Sequence, residues 1–197
     1  MGEPKLLLPW KQGMVIDQVL GTWVQSPVDE VVIVVRKDDS ALRKSCEKWH
    51  VSVVTPEVDP VDMKTSVMAG MRYLQQAHSP ADHDCCFVSP ADVPELDAPL
   101  ITELMSRYRE RAFDAGEKNR PMLVVPRYGA RPGHPSLFRW EALRLVDSLD
   151  QNEGLNRLVE TLAKHHVDRP SSTRPKDIDT PEDYQRIRAE NAVRERN

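Results

Sequence analysis

Glu30-Val31-Val32-Ile33-Val34-Val35 is a β-branched, apolar run, the pattern of a strand covered on both faces. Ahead of it, residues 14–24 place Met14, Val15, Val19, Leu20 and Trp23 near helical spacing. Behind it, residues 40–49 read as a capped helix and Val51-Ser52-Val53-Val54 as the next strand. The alternation continues along the chain. Residues 62–76 predict a helix with Val67, Met71 and Leu74 on its apolar side. Cys85-Cys86-Phe87-Val88 is a short buried strand, and residues 98–111 form a helix striped by Leu100, Ile101, Leu104, Met105 and Tyr108. Met122-Leu123-Val124-Val125 and Ser136-Leu137-Phe138 read as strands around a Gly-rich turn. Helices are expected over residues 141–149 and 155–165, and a closing helix over residues 181–194 with Thr180 as its N-cap. Strand and helix in alternation mean an α/β domain with a mostly parallel sheet. No repeat or long linker divides the 197 residues, so one domain is expected, with residues 189–197 as a charged tail.

The charge balance, 27 Lys and Arg against 31 Asp and Glu, gives a net charge of -4. That leaves no electrostatic case for nucleic acid as a partner. No apolar stretch is long enough for a membrane span, and the N-terminus lacks a signal-peptide layout. Gly2 starts a myristoylation-like pattern, but Leu6 stands where Ser or Thr is required. Cytoplasm is therefore the expected compartment. Cys85 and Cys86 read as alternate faces of a buried strand rather than a metal site, since no further ligands lie nearby. His165-His166 reads as a solvated helix end, and the four tryptophans as packing residues.

Four segments fall where an open α/β sheet binds ligands, beyond the carboxyl ends of its strands. Lys5 in Gly2-Glu3-Pro4-Lys5 is either an exposed N-terminal lysine or a phosphate contact after a Gly-containing turn. Asp92 in Ser89-Pro90-Ala91-Asp92-Val93-Pro94 is held by two prolines; it is either a turn or capping Asp or a magnesium ligand. Arg127-Tyr128-Gly129-Ala130-Arg131-Pro132-Gly133-His134-Pro135 carries two glycines, two arginines and one histidine. It is a hairpin turn with solvated charges or a grip on an anionic ligand. In Asp177-Ile178-Asp179-Thr180-Pro181-Glu182-Asp183, the last four residues are a helix start. Asp177 and Asp179 alternate with Ile178 and share one face. Two such carboxylates repel unless a cation lies near them.

Taken in order, these segments resemble the cytidylyltransferases and related nucleotidyltransferases that load CTP or GTP onto molybdopterin. Residues 1–10 are similar to the end of a signature of the form Leu-Ala-Ala-Gly-x-Ser-x-Arg-Met-Gly-x-x-Lys. Pro90-Ala91-Asp92-Val93-Pro94 is similar to Pro-Gly-Asp-Met-Pro, and Gly133-His134-Pro135-Ser136-Leu137-Phe138 to Gly-His-Pro-Val-Leu-Phe. Asp177 to Asp183 matches the closing motif.

The resemblance implies a three-layer αβα nucleotidyltransferase domain, Rossmann-like and GT-A-type. It implies Lys5 and Asp92 as catalytic residues, and Gly2, Lys5, Ser66 and Asp92 as nucleotide-binding residues. Asp92, Asp177 and Asp179 would hold Mg2+, while Arg131, Gly133 and His134 would line the acceptor side. The implied reaction transfers CMP from CTP to molybdopterin and releases pyrophosphate. Alternatives are a sugar phosphate or methylerythritol phosphate as acceptor, or an inactive binding protein that partners a molybdoenzyme. The chain departs from the pattern at Lys64, at Pro132, at Asn152, and at the first strand and Gly-rich loop, which are expected to be lacking from the sheet. Three readings of that gap stay open: a start codon further upstream, a short and inactive chain, or another segment or subunit filling it.

Overall fold

The computed structural model describes residues 4–114 and 121–194. A small hairpin, β1 (Pro9–Trp10) and β2 (Gly13–Met14), leads into α1 (Val15–Val24). Val15, Ile16, Val19, Leu20 and Trp23 are buried on this helix, following the helical repeat of the sequence. The run around Ile33 becomes β3 (Val32–Val34), parallel to β4 (Ser52–Val54). The crossover between them is α2 (Ser40–Cys46), where the Asp39 carboxylate accepts the Leu42 N–H at 3.0 Å and caps the helix. After β4 comes α3 (Met63–His78), capped by Asp62, with Gly70 letting its backbone approach Val32 and Val34.

A second sheet holds β5 (Cys85–Val88), β6 (Leu123–Tyr128), β7 (Arg131–Pro132), β8 (Ser136–Arg139) and β9 (Lys164–Arg169). Both β5 and β6 run antiparallel to β8, and β9 runs parallel to β6. Thus β5, β6 and β9 share one direction and β8 opposes them. The helices α4 (Ala98–Asp114), α5 (Trp140–Leu143), α6 (Asn156–Thr161) and α7 (Pro181–Arg194) complete the chain.

Alternation along the strands builds three layers. Val124 and Leu137 pack with α1 and α4 through Val19, Trp23, Leu100, Ile101 and Leu104. Their neighbours Leu123, Val125 and Phe138 point to the other side and pack with Met71, Leu143 and Leu158.

Three expectations need correction. The helix expected over residues 155–165 ends at Thr161, and Lys164–Arg169 is a strand. His165 and His166 are therefore not a helix end; they pair across from Val124 and Val125. The strand escapes recognition because Lys164-His165-His166-Val167-Asp168-Arg169 has little apolar content, and only Val167 is buried. Its ladder with β6 is reinforced by the Arg127 guanidinium donating to both Asp168 carboxylate oxygens, at 2.6 and 2.9 Å. Residues 141–149 do not form one helix; α5 gives way to a 3-10 turn over Arg144–Ser148.

The third correction concerns burial. β8 is fully buried and β6 nearly so, but every residue of β3 and β4 is only half-buried, and Cys85 on β5 is exposed. The physical reason is that β3–β4 and β5–β9 are separate sheets. A cavity of about 1380 Å³ lies between β3 and β5 and is lined by both. Among the described residues, no helix is long and apolar enough to cross a membrane.

Candidate functional site

β5 ends at Val88, and the chain turns through Ser89-Pro90-Ala91 to Asp92. Val93 and Leu96 are buried directly after it and anchor the turn in the core. The Asp92 carbonyl accepts the N–H of Ile178 at 3.1 Å, joining this turn to a segment 86 residues later in the chain. Ile178 is completely buried with Trp10, Val15 and Ile187. Because Ile178 points inward, Asp177 and Asp179 are turned the other way, as the period-two spacing requires.

Lys5 reaches this place from a single 3-10 turn, Lys5–Leu7. Its ammonium donates a hydrogen bond to Asp92 Oδ2 and lies 3.6 Å from Asp179 Oδ1. The Asp92 side chain is 16% exposed and that of Asp179 is 70% exposed, so one carboxylate is held in the wall and the other faces solvent. Burial lowers the Lys5 pKa, but the hydrogen bond and charge of Asp92, with the charge of Asp179, outweigh it and leave the pKa raised above 10.5. Lys5 is therefore a cation throughout the neutral range.

The other oxygen, Asp92 Oδ1, is buried and has no hydrogen-bond partner among the described residues. A buried carboxylate oxygen without a partner is costly unless something else satisfies it. Asp177 carries a second sign of the same imbalance. Loss of water around its carboxyl raises its pKa, the Asp92 charge raises it further, and His134 and Arg174 only partly oppose this. His134 stands against the same carboxylates. Burial lowers its pKa, with Asp177 and Asp92 pulling the other way, and its Nδ1 is buried without a partner.

Two expected outcomes follow from this geometry. Asp177 has a raised folded pKa, so the native state holds its proton more tightly than the unfolded chain does, and stability falls as pH rises above 3.8. Asp177→Asn removes that penalty. Its melting temperature at pH 7 is expected to exceed wild type, a gain within about 0.5 kcal/mol, and the difference should vanish on acidification below pH 3.8. Gly133 is a packing constraint. A Cβ there would lie 2.5 and 2.9 Å from two carbons of the Tyr128 ring. Gly133→Ala is expected to cost ~1–3 kcal/mol through overpacking, read by urea unfolding.

The structure thus brings Lys5, Asp92, Asp177, Asp179 and His134 together at the end of β5. Ser66 lies in the first turns of α3, donates to the Asp62 carbonyl at 3.1 Å, and lines the same cavity as Lys5 and Asp92. Arg131 is exposed on β7, next to Gly133 but without a contact that carries it to Asp92. Gly2 lies outside the described residues. Among the described residues, no three or more His, Cys, Asp and Glu side chains gather as a ready set of metal ligands. The Lys5 ammonium instead takes the space between Asp92 and Asp179.

One residue escaped the sequence reading, and a second, marked there only as a departure from the family pattern, has a structural role. Arg174 acts electrostatically on both Asp177 and His134; its only signal is a position three residues before Asp177. Lys64 is buried and donates to the carbonyls of Asp150 at 2.7 Å and Gln151 at 3.4 Å. It pins the Gln151-Asn152-Glu153-Gly154 loop to α3, which accounts for the lysine at this position. The cysteines offer no ready nucleophile: burial first, then nearby acids, push Cys46 up to about 11, and burial pushes Cys86 up to about 12.

Comparison with known proteins bears on the family and the fold. The model for the MobA-like NTP transferase domain matches residues 1–168. The molybdenum cofactor cytidylyltransferase of Escherichia coli is 22% identical over 186 residues, covering 93% of this chain and 86% of that protein. The molybdenum cofactor guanylyltransferase of Xanthomonas euvesicatoria is 25% identical over 194 residues, covering 97% and 89%. A Mycobacterium tuberculosis protein solved in complex with manganese superposes with a TM-score of 0.69 at 21% identity, covering 94% of this chain and 91% of that one. That structural likeness speaks for the fold. The match over residues 1–168 assigns the chain: it belongs to the MobA-like NTP transferase domain family.

Proposed function

We propose that this protein transfers CMP from CTP to a molybdopterin-type acceptor, using Mg2+ and releasing pyrophosphate. The observation that carries the proposal is the convergence of Lys5, Asp92, Asp177 and Asp179 at the carboxyl end of β5. Asp92 Oδ1, with Asp177 or Asp179, suits a hard divalent cation: the oxygen lacks a partner and the neighbouring carboxylates repel. When bound, Mg2+ would offset the negative charge of the triphosphate.

Lys5 would hold the triphosphate once its ammonium turns from Asp92 toward phosphate oxygens. The acceptor's phosphate oxygen attacks the α-phosphorus of CTP, forming a new P–O bond. The bond to the β-phosphate breaks and pyrophosphate leaves. No protein nucleophile is needed, so the protein's work is alignment and charge. His134 and Gly133 line the acceptor side, with Arg174 adding positive charge near Asp177. Ser66 would approach the nucleotide from α3.

The test is pyrophosphate release from purified protein with Mg2+, molybdopterin and either CTP or GTP. Release with CTP is expected. Release only with GTP would overturn the base assignment, and release only with a sugar phosphate or methylerythritol phosphate would overturn the acceptor. A second reading is favoured by the open cavity running up to Lys5 and Asp92: a chain that binds nucleotide, or a molybdoenzyme, without turnover. Heat on titrating CTP with Mg2+ but no pyrophosphate would support nucleotide binding without turnover, and no heat at all would defeat both that and the transfer reading.

A further inference from the structure

We infer that Tyr184 is a positioning residue for Lys5: its hydroxyl ties the β1–β2 hairpin to α7 and so keeps the Lys5 ammonium against the carboxylates at the end of β5. Lys5 sits on a single 3-10 turn of three residues, with no side chain capping its start and none of its residues fully buried. So short a turn does not hold its own geometry. It is held from outside. The Leu8 carbonyl, just past the turn, accepts the Val15 N–H at 3.0 Å, which fastens it to the start of α1. Leu6 and Leu8 pack against Trp10, Val15, Ile178 and Ile187, and Tyr184 belongs to the same cluster. Apolar contacts of this kind are non-directional. They set how deep the turn lies and leave open where its ammonium points.

The tie to the far side of the site is polar. The Tyr184 hydroxyl donates to the Pro9 carbonyl, 175 residues away in sequence. The same hydroxyl accepts from the Arg188 guanidinium at 3.4 Å, and that guanidinium lies 5.9 Å from the centre of the Tyr184 ring. With one lone pair so engaged, the hydroxyl proton is left for Pro9. The ring also lies tilted on Trp10, with centroids 6.5 Å apart. Tyr184 is itself fixed in the first turn of α7. Its N–H donates to the Thr180 carbonyl at 3.1 Å, and the Thr180 hydroxyl and Asp183 cap that turn. α7 starts two residues after Asp179, whose Oδ1 is 3.6 Å from the Lys5 ammonium. Tyr184 thus couples the segment that supplies a carboxylate to the segment that supplies the cation. The inference deepens the proposed function and rests on it only for the kinetic readout below.

The test compares the wild-type chain with Tyr184→Phe, which keeps the ring on Trp10 and removes the donor. Trace acetylation with acetic anhydride at pH 8, without metal or nucleotide, reads Lys5 against the exposed Lys48 of the same molecule. An ammonium held on a carboxylate gives up its proton less readily and reacts slowly. Lys5 should therefore acetylate about threefold faster in Tyr184→Phe, the scale of one partly exposed hydrogen bond, with Lys48 unchanged. Mn2+ affinity separates positioning from bracing. Acting through Lys5, Tyr184→Phe tightens Mn2+ about threefold in the wild-type background and leaves it unchanged in the Lys5→Met background. In the proposed transfer reaction, KM for CTP rises about threefold while KM for the acceptor is unchanged. An unchanged ratio of Lys5 to Lys48 acetylation, or an equal shift of Mn2+ affinity in both backgrounds, would overturn the inference. Faster Lys5 acetylation in a chain that shows no transfer would overturn the nucleotide reading and support the inference.

Discussion

Asp92→Asn is expected to lower nucleotidyl transfer by at least about 100-fold, the scale of losing one preorganised electrostatic group, while the protein still folds. Asn keeps the volume and one acceptor oxygen but not the charge. The turn itself does not rely on the carboxylate: the Asp92 main-chain carbonyl holds Ile178, and Val93 and Leu96 are in the core. What goes is the negative charge that pairs with Lys5 and suits a cation. Steady-state pyrophosphate release measures the first effect, and a thermal melt the second. Near-normal transfer by the Asn variant would remove Asp92 from the chemistry.

Lys5→Met is expected to move two readouts in opposite directions. Without nucleotide, the Lys5 ammonium already neutralises Asp92 and stands 3.6 Å from Asp179. A divalent cation must displace it. Removing it should tighten Mn2+ binding on the order of tenfold, matching one charged hydrogen bond of ~1.5 kcal/mol. With CTP and acceptor present, the same variant loses the cation that would hold the triphosphate, and kcat/KM should fall by roughly 100-fold. A variant that weakened both would make Lys5 a structural brace. The Lys5 charge is insensitive to pH near neutrality. The raised Lys5 pKa keeps its contribution in full below the ordinary lysine value of 10.5, and it fades only as pH rises through the folded value.

Much of this arrangement was legible in the sequence, for physical reasons that also explain the failures. Ile178 between two aspartates predicts its own burial and the outward turn of its neighbours, because strand-like alternation is local geometry. Thr180 as the cap of α7 was legible for the same reason, and its hydroxyl does accept the Asp183 N–H at 3.1 Å. β9 was not legible. Its stability comes from a backbone ladder and one arginine fork, neither of which leaves a hydrophobic period. The half-exposure of Val32–Val34 was not legible either, because an apolar run says what a strand requires and not whether its neighbour is present. Lys64 looked out of place until its carbonyl partners at Asp150 and Gln151 were seen, 86 and 87 residues away. The motifs named Lys5, Asp92, Asp177 and Asp179, which the structure brings together, but the placing of Lys5 between two carboxylates needed coordinates.

The central claim is that Asp92 and the Asp177/Asp179 pair form one divalent-cation site. Its most direct test is Mn2+ binding, followed by electron paramagnetic resonance in the presence of CTP, for wild type, Asp92→Asn and the double variant Asp177→Asn/Asp179→Asn. The expected result is one bound Mn2+ per wild-type chain, with binding lost in Asp92→Asn and in the double variant. Unchanged Mn2+ binding in both would contradict the account.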